Sequence, residues 1–178
     1  MRIGTKNQPQ EDTHGPLLRP ARLLHASRIA LYEAGAEAGV RFRQVDTRTK
    51  RTVAHGRDYY AVNPMGQVPP LGLPGGVLLT ENAAVLQHIA ERFPAARLAP
   101  VDPEGRDALR QWLSFIGTEL HATVFLPLLA PGVPDAAKAH AREKARLRLT
   151  RLASHLNGRE FVLDRFSVAD AYLATVLN

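Results

Sequence analysis

The stretch NPMGQVPPLGLPGGVLLTENAAVLQHIAERFP, Asn63 to Pro94, changes period at its midpoint. Asn63-Pro64 and Met65-Gly66 are turn signals, and Val68 to Leu73 reads as a strand interrupted by prolines. Gly75-Gly76 punctuates it before a second strand, Val77 to Leu79, so the two form a hairpin. Leu86, Ile89, Ala90 and Phe93 then recur at i, i+3, i+4 and i+7, one face of a helix that Pro94 ends.

Upstream, Ala26, Ile29, Ala30 and Ala34 line one face of another helix, which Gly35 or Gly39 can stop. RFRQVD, Arg41 to Asp46, alternates and predicts a short strand, followed by the basic connection TRTKRTVAHG. The order is helix, strand, turn, hairpin, helix. Residues 1–25 are polar, proline-containing and without period.

Downstream the pattern is helical only. Leu109, Trp112, Leu113, Ile116 and Leu120 form an apolar stripe that PLLAPGVPD breaks. Lys138 to Arg151 continues as a basic helix with Ala145, Leu149, Leu152 and Leu156 at helical spacing. At FSVAD, Ser167 and Asp170 form a variant capping box with Phe166 placed as a staple, so a last helix starts at Ser167. The expected organisation is a divergent segment 1–25, an α/β unit 26–93, a linker 94–102 and an all-helical unit 103–178.

Composition narrows the function. The chain has 178 residues, 45% of them hydrophobic, and no uninterrupted apolar run approaches the ~20 residues of a membrane span, which points to a soluble protein. No secretory apolar block follows the first residues. The absence of cysteine excludes disulfides, thiolate metal sites and cysteine nucleophiles, and fits a cytoplasmic address. A net charge of +6 permits a polyanion partner, yet the densest basic run has no interleaved aromatics for base stacking. It reads as a solvated helix face. No nucleic acid or membrane partner is expected, and the histidines show no metal-ligand spacing.

Taken in order, NPMGQVPPL, LLTENAAVLQHIAERFP, WLSFIGTELH and RFSVADAYLATVLN make Ala26 to Asn178 resemble a glutathione transferase, most closely the bacterial beta class. The resemblance implies a thioredoxin-like α/β N-terminal domain and an all-α C-terminal domain, here incomplete because family members continue through further helices. It also implies glutathione as co-substrate, a small hydrophobic electrophile as second partner, detoxification chemistry, and a homodimer with the Arg106 to His121 helix at its interface.

The implied ligand contacts fall on particular residues. Val68-Pro69 resembles the family's cis-proline turn, which offers the Val68 backbone to the ligand like an added strand; an ordinary proline-rich strand end is the alternative. Glu81 and Asn82 start the helix after the hairpin, where free amides suit a carboxylate and Glu81 suits an ammonium. Glu81 equally serves the helix macrodipole, and Asn82 departs from the family's Ser or Gly. Lys50 matches a lysine that reaches the glycyl carboxylate, though it lies in a loop with several other cations, and Gln67 orients the ligand backbone. His121 matches a histidine that approaches the sulfur from the helical domain; a half-buried packing role weighs equally.

The activating residue is missing. A thiol with an ordinary value near ~8.5 is mostly protonated at neutral pH, so a transferase must favour the thiolate. The beta-class Cys position falls on Leu23, the Ser position of other classes on Leu24, and the paired aromatics on Leu17 and Leu18. An apolar neighbour raises a thiol pKa. Ser27 sits one turn too deep, and His25 has no family counterpart. Back-translating HGPLLRPARLLH with a permissible choice of codons and reading one nucleotide later gives Met, one residue limited to Gly, Ala, Val or Asp, then Leu-Tyr-Tyr-Ala-Pro-Arg-Ala-Cys-Ser, which looks like a beta-class N-terminus. Residues 1–25 are therefore a candidate out-of-frame segment. Two expectations follow: glutathione binding with weak or absent conjugation, or a non-catalytic glutathione-binding or hydrophobic-ligand protein on a degenerate scaffold.

Overall fold

Helix α1, Leu24–Glu33, buries Ala26, Ala30 and Leu31 and ends where Gly35 takes a positive φ of 64° that a side chain would resist. The computed structural model describes residues 24–36, 39–46, 49–52 and 56–178. Two short antiparallel ladders follow α1. β1, Val45–Asp46, pairs with β2, Arg51–Thr52, in the register Val45↔Thr52; β3, Leu71–Gly72, pairs with β4, Leu78–Leu79, in the register Leu71↔Leu79. Among the described residues the two ladders are not bonded to each other.

Both ladders are shorter than the alternation predicts, for identifiable reasons. Arg41 to Gln44 are exposed coil, so only the end of RFRQVD is strand. β3 begins after Pro69 and Pro70, which lack the N–H a ladder needs. β2 lies in the basic connection, where charged residues hid it.

Helix α2, Asn82–Arg92, buries Val85, Leu86, Ile89 and Ala90, and Phe93 caps it before Pro94. The linker is anchored, because Leu98 is buried and its carbonyl accepts from the Val168 amide at 2.9 Å. α3, Pro103–Ser114, starts at Asp102, whose side chain accepts from the Gly105 amide. It runs without a break into a π-helical segment, Phe115–Phe125, and then α4, Leu126–Leu129. The break in PLLAPGVPD therefore comes at Ala130, later than the sequence suggests. Pro103–Leu129 is long and apolar enough, at a hydropathy of 1.3, to cross a membrane by length and composition. Its stripe Leu109, Trp112, Leu113, Ile116, Leu120 and Val124 is instead buried in the core.

α5, Asp135–Leu156, buries Ala141 and Leu152, but Leu149 turns out to be exposed. Its last turn is tied down by His155, whose Nε2 lies 2.7 Å from the Val162 carbonyl oxygen and whose ring stacks on Trp112 at 4.2 Å. α6, Val168–Leu177, carries the expected capping box. Ser167 Oγ accepts from the Ala169 amide at 3.2 Å, and Asp170 Oδ2 accepts from the Ser167 amide at 2.8 Å. Asp170 Oδ1 also accepts from the Val162 amide at 2.7 Å, so one carboxylate fastens both the helix start and the preceding loop. Phe166 packs on the core and meets Phe161 edge-on. α6 lies against α1, α2, α3 and the π-helical segment, so one continuous core joins the α/β and helical regions.

Candidate functional site

The loop before β3 is held by its own polar groups. Buried Asn63 donates from Nδ2 to the Gln67 carbonyl at 2.8 Å and accepts the Met65 amide on Oδ1 at 3.2 Å. The Tyr59 hydroxyl donates to the same Gln67 carbonyl at 2.7 Å. Burial pushes the Tyr59 hydroxyl pKa up, with the Asn63 interaction working against it, so Tyr59 remains a donor. Gly66 turns at φ 63°, and a Cβ there would stand 2.7 Å from Tyr60 Cε1. Only glycine fits that turn.

Behind this frame the Val68-Pro69 bond is cis, as the motif suggests. Among the described residues, neither the N–H nor the C=O of Val68 takes a hydrogen bond. The Gln67 carbonyl is occupied while its side chain is exposed. Lys50 stands at φ 55° and donates from Nζ to the Gly66 carbonyl at 2.9 Å. The lysine thus supports the loop directly, and an ammonium with three protons keeps two for another acceptor.

A second group gathers at the start of α2. Glu81 is exposed and precedes the helix at φ 65° and ψ 116°, a conformation side chains resist. Its carbonyl accepts the Val85 amide at 2.9 Å, leaving the first amides of α2 without helical acceptors. Next to it, the Nδ2 and Oδ1 atoms of Asn82 are both shut off from water and close no hydrogen bond of full geometry. Buried orphan polar atoms are uncommon and costly.

His121 lies on the π-helical segment and is half-buried. Burial lowers its pKa below the usual 6.5, so at neutral pH the imidazole is uncharged and suited to accept a proton. Among the described residues no hydrogen bond or ion pair holds its ring, nor links it to Lys50, Glu81 or Asn82. Wide π-turns inside α-helices recur at functional sites, and nothing in the periodicity of WLSFIGTELH announced one.

The structure brings Lys50, Gln67, Val68 and Pro69 together in one frame and Glu81 with Asn82 in another. Leu23 lies outside the described residues, as does the Leu24 side chain. Ser27 is buried with an unpartnered Oγ, and His25 is exposed. A cavity of about 510 Å³ opens between the two ladders, lined by Ser27, Phe42, Val45, Val68, Pro69 and Leu71 among others. It touches the first frame but includes neither Glu81, Asn82 nor His121. The residues missed by sequence reasoning are Tyr59 and Asn63, whose signal was the polar pair flanking a turn in DYYAVN.

Comparison with known proteins adds the following. Residues 18–91 match the family described as Glutathione S-transferase, N-terminal domain. The chain is 40% identical over 162 residues to Glutathione S-transferase GstA of Escherichia coli O157:H7, covering 90% of this chain and 79% of that protein. Among solved structures it is similar to a sphingomonad glutathione S-transferase complexed with glutathione, with TM-score 0.76, 42% identity, and 87% and 76% of the two chains covered. The bacterial beta-class enzyme of Sphingomonas chungbukensis superposes with TM-score 0.79 at 40% identity, covering 89% and 78%. The shared fold is a thioredoxin-like N-terminal domain followed by a mostly helical C-terminal region.

Proposed function

Because the chain belongs to the glutathione S-transferase family, we propose that it binds reduced glutathione through Val68, Glu81, Asn82, Lys50 and Gln67, and transfers it only slowly to a small apolar electrophile. The observation that carries this reading is the cis Val68-Pro69 turn, whose Val68 N–H and C=O take no hydrogen bond among the described residues, together with the exposed carboxylate of Glu81 at the start of α2. The start of α2 offers its first amides and a negative charge to an α-amino acid end group. The glutathione in the sphingomonad complex supports the same ligand class.

Each residue has a physical task. Glu81 pairs with the ligand ammonium while Asn82 and the first amides of α2 hold its carboxylate. The Val68 N–H and C=O pair with the cysteinyl backbone in the manner of an added strand. Lys50 supplies its remaining Nζ protons to the glycyl carboxylate, and the exposed Gln67 side chain orients the peptide. His121, uncharged, takes the thiol proton as the sulfur bonds to the electrophilic carbon and the leaving group departs with its electron pair. At the activating position Leu23 and Leu24 offer neither hydroxyl nor thiol, so thiolate formation rests on His121 and backbone donors alone.

In this reading residues 26–93 form the glutathione-binding unit, 94–102 the linker and 103–178 the helical unit, in a cytoplasmic protein that dimerises through the Arg106 to His121 helix. A second reading, a non-catalytic binder of apolar ligands, is favoured by the cavity beneath Val68. Calorimetry with reduced glutathione, joined to a conjugation assay with a generic aryl halide, separates them. Saturable heat with slow turnover that His121→Ala abolishes is expected. Saturable heat with no turnover supports the second reading, and no heat contradicts the first.

A further inference from the structure

The two ladders turn unpaired margins toward one cavity. β2 is closed on its far side by a bridge between Arg51 and Asp58, so the open margin of the first ladder is β1 with the coil before it. Among the described residues, the backbones of Arg41, Phe42, Arg43 and Gln44 make no hydrogen bond. In the second ladder Leu71 pairs with Leu79 and the Leu73 amide donates to the Val77 carbonyl, so Gly72 between them turns its N–H and C=O away from β4. Phe42 and Val45 border the cavity of about 510 Å³ from one side, and Val68, Leu71 and Gly72 from the other. An extended chain laid between the two rows would satisfy both at once. Arg41 and Arg43 line the same cavity, exposed and, among the described residues, without an ion-pair or hydrogen-bond partner. Two free guanidinium groups favour an acidic occupant. The stretch that precedes α1 in this chain, PLLRPARL from Pro16 to Leu23, has the wrong chemistry for the slot: Arg19 and Arg22 repeat the charge of its wall, and Pro16 and Pro20 lack the N–H that an inner strand donates.

We propose that the slot between β1 and β3 is a docking site for an extended segment of another polypeptide, one that alternates apolar and acidic residues. Its backbone pairs with residues 42–44 on one side and with Gly72 on the other, as an inserted strand. Its apolar side chains enter the cavity against Leu31, Val85 and Ile89, and its carboxylates meet Arg41 and Arg43. This gives an occupant to the cavity behind the second reading above and rests on that reading. It draws on none of Glu81, Asn82 and His121, which lie outside the cavity lining.

The test titrates the full chain calorimetrically with capped heptapeptides: alternating valine and glutamate, alternating valine and lysine, and the glutamate peptide N-methylated on the odd or on the even amides. Dodecanoate, an apolar anion without a peptide backbone, is the comparison. Saturable binding of the glutamate peptide is expected, with the lysine peptide at least about fivefold weaker and that gap narrowed when Arg41→Gln and Arg43→Gln are combined. Both N-methylated peptides are expected to bind at least about fivefold more weakly, because successive residues of an inserted strand bond to opposite neighbours. Weakening by only one methylation pattern would mean a strand added to a single margin, and it overturns the inference, as does binding that neither pattern alters. Dodecanoate bound where the peptides are not overturns it with the second reading intact. No binding of the peptides or of dodecanoate, the result expected if residues 1–23 fill the slot themselves, overturns both and leaves the glutathione reading untouched.

Discussion

Replacing Glu81 by glycine should raise stability and lower glutathione affinity at the same time. Glu81 holds φ 65° and ψ 116°, outside the regions open to a residue with a Cβ. Such a conformation costs on the order of 1–3 kcal/mol. Glycine adopts it freely but loses roughly 0.5–1 kcal/mol more backbone entropy on folding. The net gain is about 1 kcal/mol, worth roughly 2–4 °C in melting temperature for a chain of this size. The carboxylate is exposed, so its removal leaves no buried charge behind. The ligand loses a charge-assisted hydrogen bond worth about 1.5–3 kcal/mol, which weakens binding by a factor of ten or more. Differential scanning calorimetry and titration with reduced glutathione read the two effects. A lower melting temperature, or unchanged affinity, would refute the view that strain is held here for ligand recognition.

Three further outcomes follow from the geometry. Gly66→Ala forces a Cβ to 2.7 Å from the Tyr60 ring at a positive φ, and should cost at least about 1–2 kcal/mol in chemical denaturation, with binding weakened through the displaced Val68. Asp170→Ala strips acceptors from the Val162 and Ser167 amides and from the Ser167 hydroxyl, and should destabilise by about 2–4 kcal/mol, more than the loss of an ordinary cap. The pKa of His121 is lower in the folded chain than its usual 6.5, so the unfolded chain binds more protons between those two values. Its share of stability is complete above about pH 6.5 and is lost as pH falls from there toward the folded pKa, and His121→Gln should flatten that part of a melting-temperature profile.

The elements that could be read from sequence are those whose burial repeats along the chain. Val85, Leu86, Ile89 and Ala90 bury one face of α2, and the stripe from Leu109 to Leu120 enters the core. Ser167 and Asp170 could be read because a capping box is a local chemical signature. β2 could not, since Arg51 and Thr52 owe their strand to pairing with Asp46 and Val45 and to no alternation of their own. Leu149 kept the helical spacing of α5 but faces water, while Ala141 and Leu152 are buried and Leu156 packs against the core. The π-helical segment was equally hidden, for its apolar residues fit an ordinary helix.

At the site, residue types could be named from the motif, but their partners could not. Lys50 could be named as a candidate ligand cation from the resemblance, while its bond to the Gly66 carbonyl depends on a fold-back across sixteen residues. Tyr59 and Asn63 converge on the Gln67 carbonyl through side chains that sequence spacing alone does not aim.

The proposed reading is a division of labour: backbone and carboxylate grip the peptide, while Leu23 and Leu24, at the positions where the family resemblance puts the activating residue, offer no hydroxyl or thiol to ionise its sulfur. Ultraviolet difference spectra of thiolate, recorded while the full chain saturated with reduced glutathione is titrated with base, address both halves at once. The account predicts saturable binding with the bound thiol ionising at or above the ordinary value near ~8.5. A bound thiol already ionised at neutral pH would contradict it.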